Sequence, residues 1–230
     1  MGGQRTCLYI DAWDKHTFNI EVYQNTTHHC GASITIASEK GGLLEHVNIY
    51  NNIVYQNKSN GLEIGNWGEP GIFVHPIENV HFINNTAYNN GTDGWGGGFF
   101  NENPDVSGIV VRNNIFSQNH TSQIINESTA SLTVDHNLID GTQDDENAIN
   151  DVNFVLGNPL FIRASEANFH LQANSPAIDN GSAVDAPTND FDGIPRPQDG
   201  DEDASAIHDI GAFEKLTYSE IGYLPIVQSD

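Results

Sequence analysis

Asp11, Glu39 and Glu63 follow one another at similar intervals near the start of the chain, with Trp13 and Trp67 beside them. Carboxylates, indoles and small residues together suit a sugar. Indole faces stack on pyranose rings, small residues leave room for the chain, and paired carboxylates cleave glycosidic bonds. If Leu8/Ile10, Ile34/Ile36 and Leu62/Ile64 point inward, strand alternation sends three columns outward. These are Tyr9–Thr35–Glu63, Asp11–Ala37–Gly65 and Trp13–Glu39–Trp67. Strand geometry then puts the Asp11 and Glu39 Cα atoms roughly 8 Å apart. Side-chain direction brings the carboxyls into the retaining or the inverting range, about 5 to 9.5 Å. Glu39, between two indoles, is expected to be partly desolvated and to act as general acid, with Asp11 as base or nucleophile. Glu63, Asp14 and Glu69 are reserves. Trp13, Trp67, Lys15 and His75 are the expected sugar contacts, and the insertion carrying Glu69 and His75 is the expected cleft wall. The competing account is that these acids are solvated surface.

A second acid cluster lies in DGDEDASAIHDIGAFE, residues 199–214. Asp199, Asp201 and Asp203 alternate as in the first half of an EF-hand loop, but the sixth and twelfth positions are Ala204 and Ile210. A full EF-hand is therefore excluded. A structural calcium loop is expected from Asp199, Asp201, Asp203 and Asp209, with Glu214 as a further ligand, against the alternative of a solvated acidic loop. Asp190 and Asp192 join the same ion or pair with Arg196. The ten histidines show no metal-ligand spacing and read as surface or turn residues.

Five segments must position these groups: IEVYQNTTHH, VNIYNNIVYQN, VHFINNTAYNN, IVVRNNIFSQN and LTVDHNLID. Each reads apolar–x–apolar–x–x–Asn, with the asparagine at 25, 52, 85, 114 and 137. A looser strand-like block precedes each one. Short strands repeated about every 25 residues without helical periodicity form the unit of a parallel β-solenoid. Stacking coils at about 4.8 Å aligns the five asparagines into a ladder. Asparagine suits a sharp left-handed corner, and its amide can bond the same amide in the next coil.

On the NNIVYQN and NNTAYNN motifs, residues 5–140 resemble the right-handed parallel β-helix repeat proteins. That superfamily contains pectate lyases and many secreted carbohydrate-active enzymes. The segment NPLF…SPAIDNGS…DFDGIPRP…DIGAFE, 158–214, is similar to one that closes such proteins in secreted bacterial enzymes. The resemblance implies an all-β, right-handed parallel β-helix of five or six coils over residues 1–140. A last coil and an acidic, loop-rich cap follow over 141–230, with YLPIV, 223–227, as a short final strand or sticky tail. It also implies a protein that is secreted or at the cell surface.

Polysaccharide lyases of this type need a Lys or Arg base beside a uronate. The repeats offer only Lys15, Lys40, Lys58 and Arg112, so hydrolysis of a more neutral glycan ranks first. A non-catalytic polysaccharide-binding or structural solenoid is the alternative. Cys7 and Cys30 each precede a strand block, and stacked coils bring them near disulfide range, with an offset that leaves the bridge open. A strand already begins at Cys7, which puts Leu8, Ile10, Ile20 and Val22 on an open end. Either upstream coils belong to a longer chain, or two chains pair end to end; otherwise a monomer is expected.

Charge narrows the partners. With 31 acidic residues against 8 basic ones, the net charge is −23, which argues against nucleic acid and anionic membrane. No apolar run reaches the length of a membrane span, and no leader is visible beyond an MGG start that a trimmed one would allow.

Overall fold

The computed structural model describes residues 5–68, 72–149 and 152–217; Glu69 and the YLPIV stretch lie outside them. Three parallel sheets form the faces of a solenoid of about five coils. The first face holds β1 (Leu8–Asp11), β4 (Ile34–Ala37), β7 (Leu62–Ile64), β10 (Gly97–Asn101) and β13 (Ser122–Asn126). The second holds β2 (Thr17–Tyr23), β5 (Leu44–Tyr50), β8 (Ile77–Ile83), β11 (Val106–Arg112) and β14 (Leu132–Asp135). The third holds β3 (Thr26–His28), β6 (Ile53–Tyr55), β9 (Thr86–Tyr88), β12 (Ile115–Ser117), β15 (Leu138–Asp140) and β16 (Val155–Leu156).

Inward alternation builds the core. Leu44, Val47 and Ile49 stack on Ile77, Val80 and Phe82, and these on Val106, Ile109 and Val111, all buried. Leu8, Ile10, Ile20 and Val22 pack against this core from the first coil and stay only partly buried. Cys7 and Cys30 are bridged, with Cα atoms 5.6 Å apart.

The Asn25–Asn52–Asn85–Asn114–Asn137 ladder is present. Each Nδ2 donates to the next Oδ1, at 2.9 to 3.0 Å. One part of the expectation needs correction: the left-handed corner belongs to the preceding residue. Gln24, Asn51, Asn84, Asn113 and His136 take φ between 50° and 55°, while the ladder residues turn inward. In each Asn-Asn pair the two amides thus do different work. A second ladder, Asn57–Asn90–Asn119, ends on Gln123.

Outward corner amides hold the C-terminal segment. Asn51 Nδ2 donates to the Asn189 carbonyl at 2.7 Å, Asn84 to those of Asp209 and Gly211, and Asn113 to that of Ser182. β17 (Phe161–Arg163) pairs antiparallel with β18 (Asn168–Leu171). From there Phe169, Leu171, Ile178, Ile210 and Phe213 cover Ile53, Ile115 and Leu138 of the third face.

Candidate functional site

The first face delivers the column Tyr9–Thr35–Glu63, continued by Phe100 and Ile125. Tyr9 is its centre. The Tyr9 hydroxyl donates to Glu39 Oε1, and its ring stacks on Trp67 with centroids 5.7 Å apart. Burial, the Glu39 bond and the charges of Asp11, Glu39 and Glu63 all push the phenol well above its ordinary value. Three of the five expected carboxylates therefore act on one hydroxyl.

Glu63 is the most deeply placed of them, 5 % exposed. Its Oε2 accepts from Thr35 Oγ1 at 3.0 Å and its Oε1 from Asn60 Nδ2 at 3.2 Å. Desolvation outweighs these two bonds and, with the charge of Glu102, pushes its pKa up to about 7. The arrangement poises a carboxylic acid near neutrality. Glu102 itself accepts from the Asn66 amide at 2.9 Å.

The indoles depart from the expected sandwich. Trp67 lies over Tyr9, while Trp13 faces Lys40, whose Nζ stands 4.5 Å from the ring centroid. Glu39 is half-buried, with its Oε1 on the Tyr9 hydroxyl. Gly65 makes a seat for Trp67: a Cβ there would come 3.2 Å from the indole. Asp11 is an acceptor for backbone amides. Its Oδ1 accepts from the amides of Trp13 at 2.7 Å and Glu39 at 3.1 Å, which ties two successive coils.

Asp14 and Lys15 stand exposed and paired to each other at 3.3 Å. His75 is buried; its Nδ1 donates to the Ser38 carbonyl at 2.6 Å and its amide to Asp105 Oδ2. It pins the insertion to the coil below and is not a surface contact. Sequence reasoning missed Tyr9 as the hub, and Asn60 and Glu102 as neighbours of Glu63. The column Tyr9–Thr35–Glu63 was the available signal.

No family model matches this chain, and no curated protein or solved structure matches it.

The expected calcium ligands are divided. Asp209 and Glu214 are buried around Arg196, whose Nη1 donates to Glu214 Oε1. Burial and the Glu214 charge push the pKa of Asp209 up. Arg196 also donates to the carbonyls of Asp209 at 3.2 Å and Gly211 at 2.9 Å. Asp190 accepts from the Glu214 amide, and Asp192 pairs with His170 at 2.7 Å, so neither joins Asp199 and Asp201. Asp199 and Asp201 gather instead with Asp179, which the sequence did not single out, with ligand oxygens within 4.8 Å of one another. Ca²⁺ takes about six to eight oxygens. The five-residue set does not fit one ion, because Asp209 and Glu214 are committed elsewhere; the oxygens at Asp179, Asp199 and Asp201 are of the right hardness.

Proposed function

We propose that this protein is a carbohydrate-active β-solenoid that hydrolyses a neutral glycan on its first face. The observation that carries the reading is Glu63: a carboxyl between Thr35 and Phe100, without a cationic partner among the described residues, beside the Tyr9–Glu39 hydrogen bond. An acid that keeps its proton to about pH 7 is a proton donor under neutral conditions. In this proposal Glu63 is the general acid, Glu39 the second carboxylate, and Trp67 and Trp13 the ring-stacking surfaces. Asp11 positions Glu39 through its amide.

Lyase action on a polyuronate is less well supported. Lys15 and Lys58 face Asp14 and Asp93, and Arg112 is bound by Asp135 and Asp185. The net charge of −23 also repels a polyanion. A second reading, non-catalytic glycan binding, is favoured by the deep burial of Glu63. We place the protein outside the cell or at its surface, and the Cys7–Cys30 bridge supports an oxidising compartment. Among the described residues no helix is long and apolar enough to cross a membrane.

The test is release of reducing ends from neutral oligosaccharides by the wild type, Glu39→Gln and Glu63→Gln. Both variants should lose about a hundredfold or more in kcat with native circular dichroism. Full activity in both rejects the site. Retained glycan binding with no turnover by the wild type selects the non-catalytic reading.

A further inference from the structure

A large concavity lies away from Glu63. It lies on the second face, where the 185–193 loop stands over the outward rows of β2, β5 and β8 and encloses a cleft of about 960 Å³. We propose that this cleft is a separate binding site for a neutral, polyhydroxylated chain, a glycan strand.

Three features of the lining identify the ligand chemistry. Tyr23 and Tyr50 form one side, stacked one coil apart with centroids at 5.0 Å and ring planes 3° apart. Tyr23 is 48 % exposed, so it offers an open ring face to a pyranose. Polar groups line the floor, one row per coil: Asn48 pairs in register with His81, and Asn79 lies beside them. Among the described residues the side chains of Asn79 and His81 have no hydrogen-bond partner, so they offer donors and acceptors to a ligand. The lining contains no lysine or arginine, the permanent cations that hold a phosphate, sulfate or uronate. Its two acids are already engaged. Asp185 meets Arg112 Nη1 at 3.0 Å, and Asp190 accepts the backbone amides of Asp192, Ile194 and Glu214.

The wall is fixed before any ligand arrives. Asn51 Nδ2 holds the Asn189 carbonyl, Gln24 Nε2 holds that of Phe191 at 2.9 Å, and the Arg112–Asp185 pair anchors the start of the loop. A preformed cleft lowers the ordering cost of binding. The rows repeat with the coils, as the rings of a polymer repeat along its axis. Burial and the neighbouring Glu21 push the Tyr50 hydroxyl up to about 12, so it stays protonated in the working range.

The site is independent of hydrolysis, and its test can be read apart from it. The probes are soluble xylan, galactomannan and hydroxyethylcellulose in native affinity gels, with polygalacturonate as the charged comparison. The wild type should be retarded by at least one neutral polymer and not by polygalacturonate. Tyr23→Ala and His81→Ala should each weaken that retardation about tenfold, whereas Glu166→Gln, exposed and away from both faces, should leave it unchanged. Because Tyr23 and His81 lie outside the core, unaltered thermal midpoints are expected and show that the fold survives. Wild-type retardation of both variants overturns the proposal. So does retardation by polygalacturonate alone or by no polymer.

Discussion

The Tyr9 hydroxyl donates to the Glu39 carboxylate one coil away, and the same tyrosine ring lies flat against Trp67 of the coil beyond. One residue therefore orients a carboxylate and an indole together. Tyr9→Phe keeps the ring and deletes the hydroxyl. The pair is half-exposed, so stability should change by no more than about 1 kcal/mol. In the proposed hydrolase kcat should fall about tenfold with KM little altered, because the ring still supports Trp67. An equal loss in KM would instead make Tyr9 a binding group. Steady-state kinetics on a neutral oligosaccharide decides between them.

Glu63 links stability to pH. Its folded value, about 7, is raised above the ordinary 4.5, so the folded state binds more protons than the unfolded state between these limits. The sign follows: stability is lost as pH rises through that window and levels off above it. Glu63→Gln removes the effect. In urea melts the variant should gain on the wild type by up to about 3 kcal/mol between pH 4.5 and pH 8. A difference independent of pH would show that Glu63 does not titrate in this range.

Ladder position should set the cost of losing an amide. Asn85 is fully buried; it donates to Asn114 Oδ1 and the Ile49 carbonyl, and accepts from both the amide and the side chain of Asn52. Asn85→Ala strands several buried polar groups and should cost about 3 to 5 kcal/mol. Asn25, at the first coil and half-buried, should cost about 1 kcal/mol. Equal losses in chemical denaturation would argue against a cooperative ladder.

Arg196 fastens the C-terminal segment. Its side chain is fully buried and bonds Glu214, the Asp209 and Gly211 carbonyls and, at 3.4 Å, Asn51 Oδ1 of the corner. Arg196→Met leaves buried carboxylates uncompensated and should destabilise by about 3 to 5 kcal/mol. Limited proteolysis should then cut within 158–217 before it cuts the coils. Simultaneous cleavage throughout would mean that cap and coils unfold as one unit.

Calcium, if it binds, should act through Asp179, Asp199 and Asp201. EDTA should lower the melting temperature of the wild type, and Asp201→Asn should abolish that response. An unchanged melting temperature removes calcium from the account.

Repetition made the solenoid legible. Apolar alternation and an asparagine at 25, 52, 85, 114 and 137 specify stacking, because each coil must place like residues against like. The column Tyr9–Thr35–Glu63 followed directly, since register in a parallel sheet carries over from coil to coil. Where side chains lean was not legible. Trp67 on Tyr9 and Lys40 over Trp13 depend on rotamers and bends outside the strands, and so does the commitment of Asp11 to two amides.

The cap shows the same boundary. Sequence alone determined that 199–214 is acidic and turn-rich, because charge and Asp-Gly patterns are local. Only the tertiary structure decided that Asp209 and Glu214 enclose Arg196 while Asp199 and Asp201 meet Asp179. It alone also set the 185–193 loop across the second face to form a cleft. Those outcomes rest on contacts between residues far apart in the chain, such as Asn51 with Asn189 and Arg112 with Asp185. No repeat sets such contacts in register. They are settled by which buried charges and amides find partners when the segment folds back on the coils.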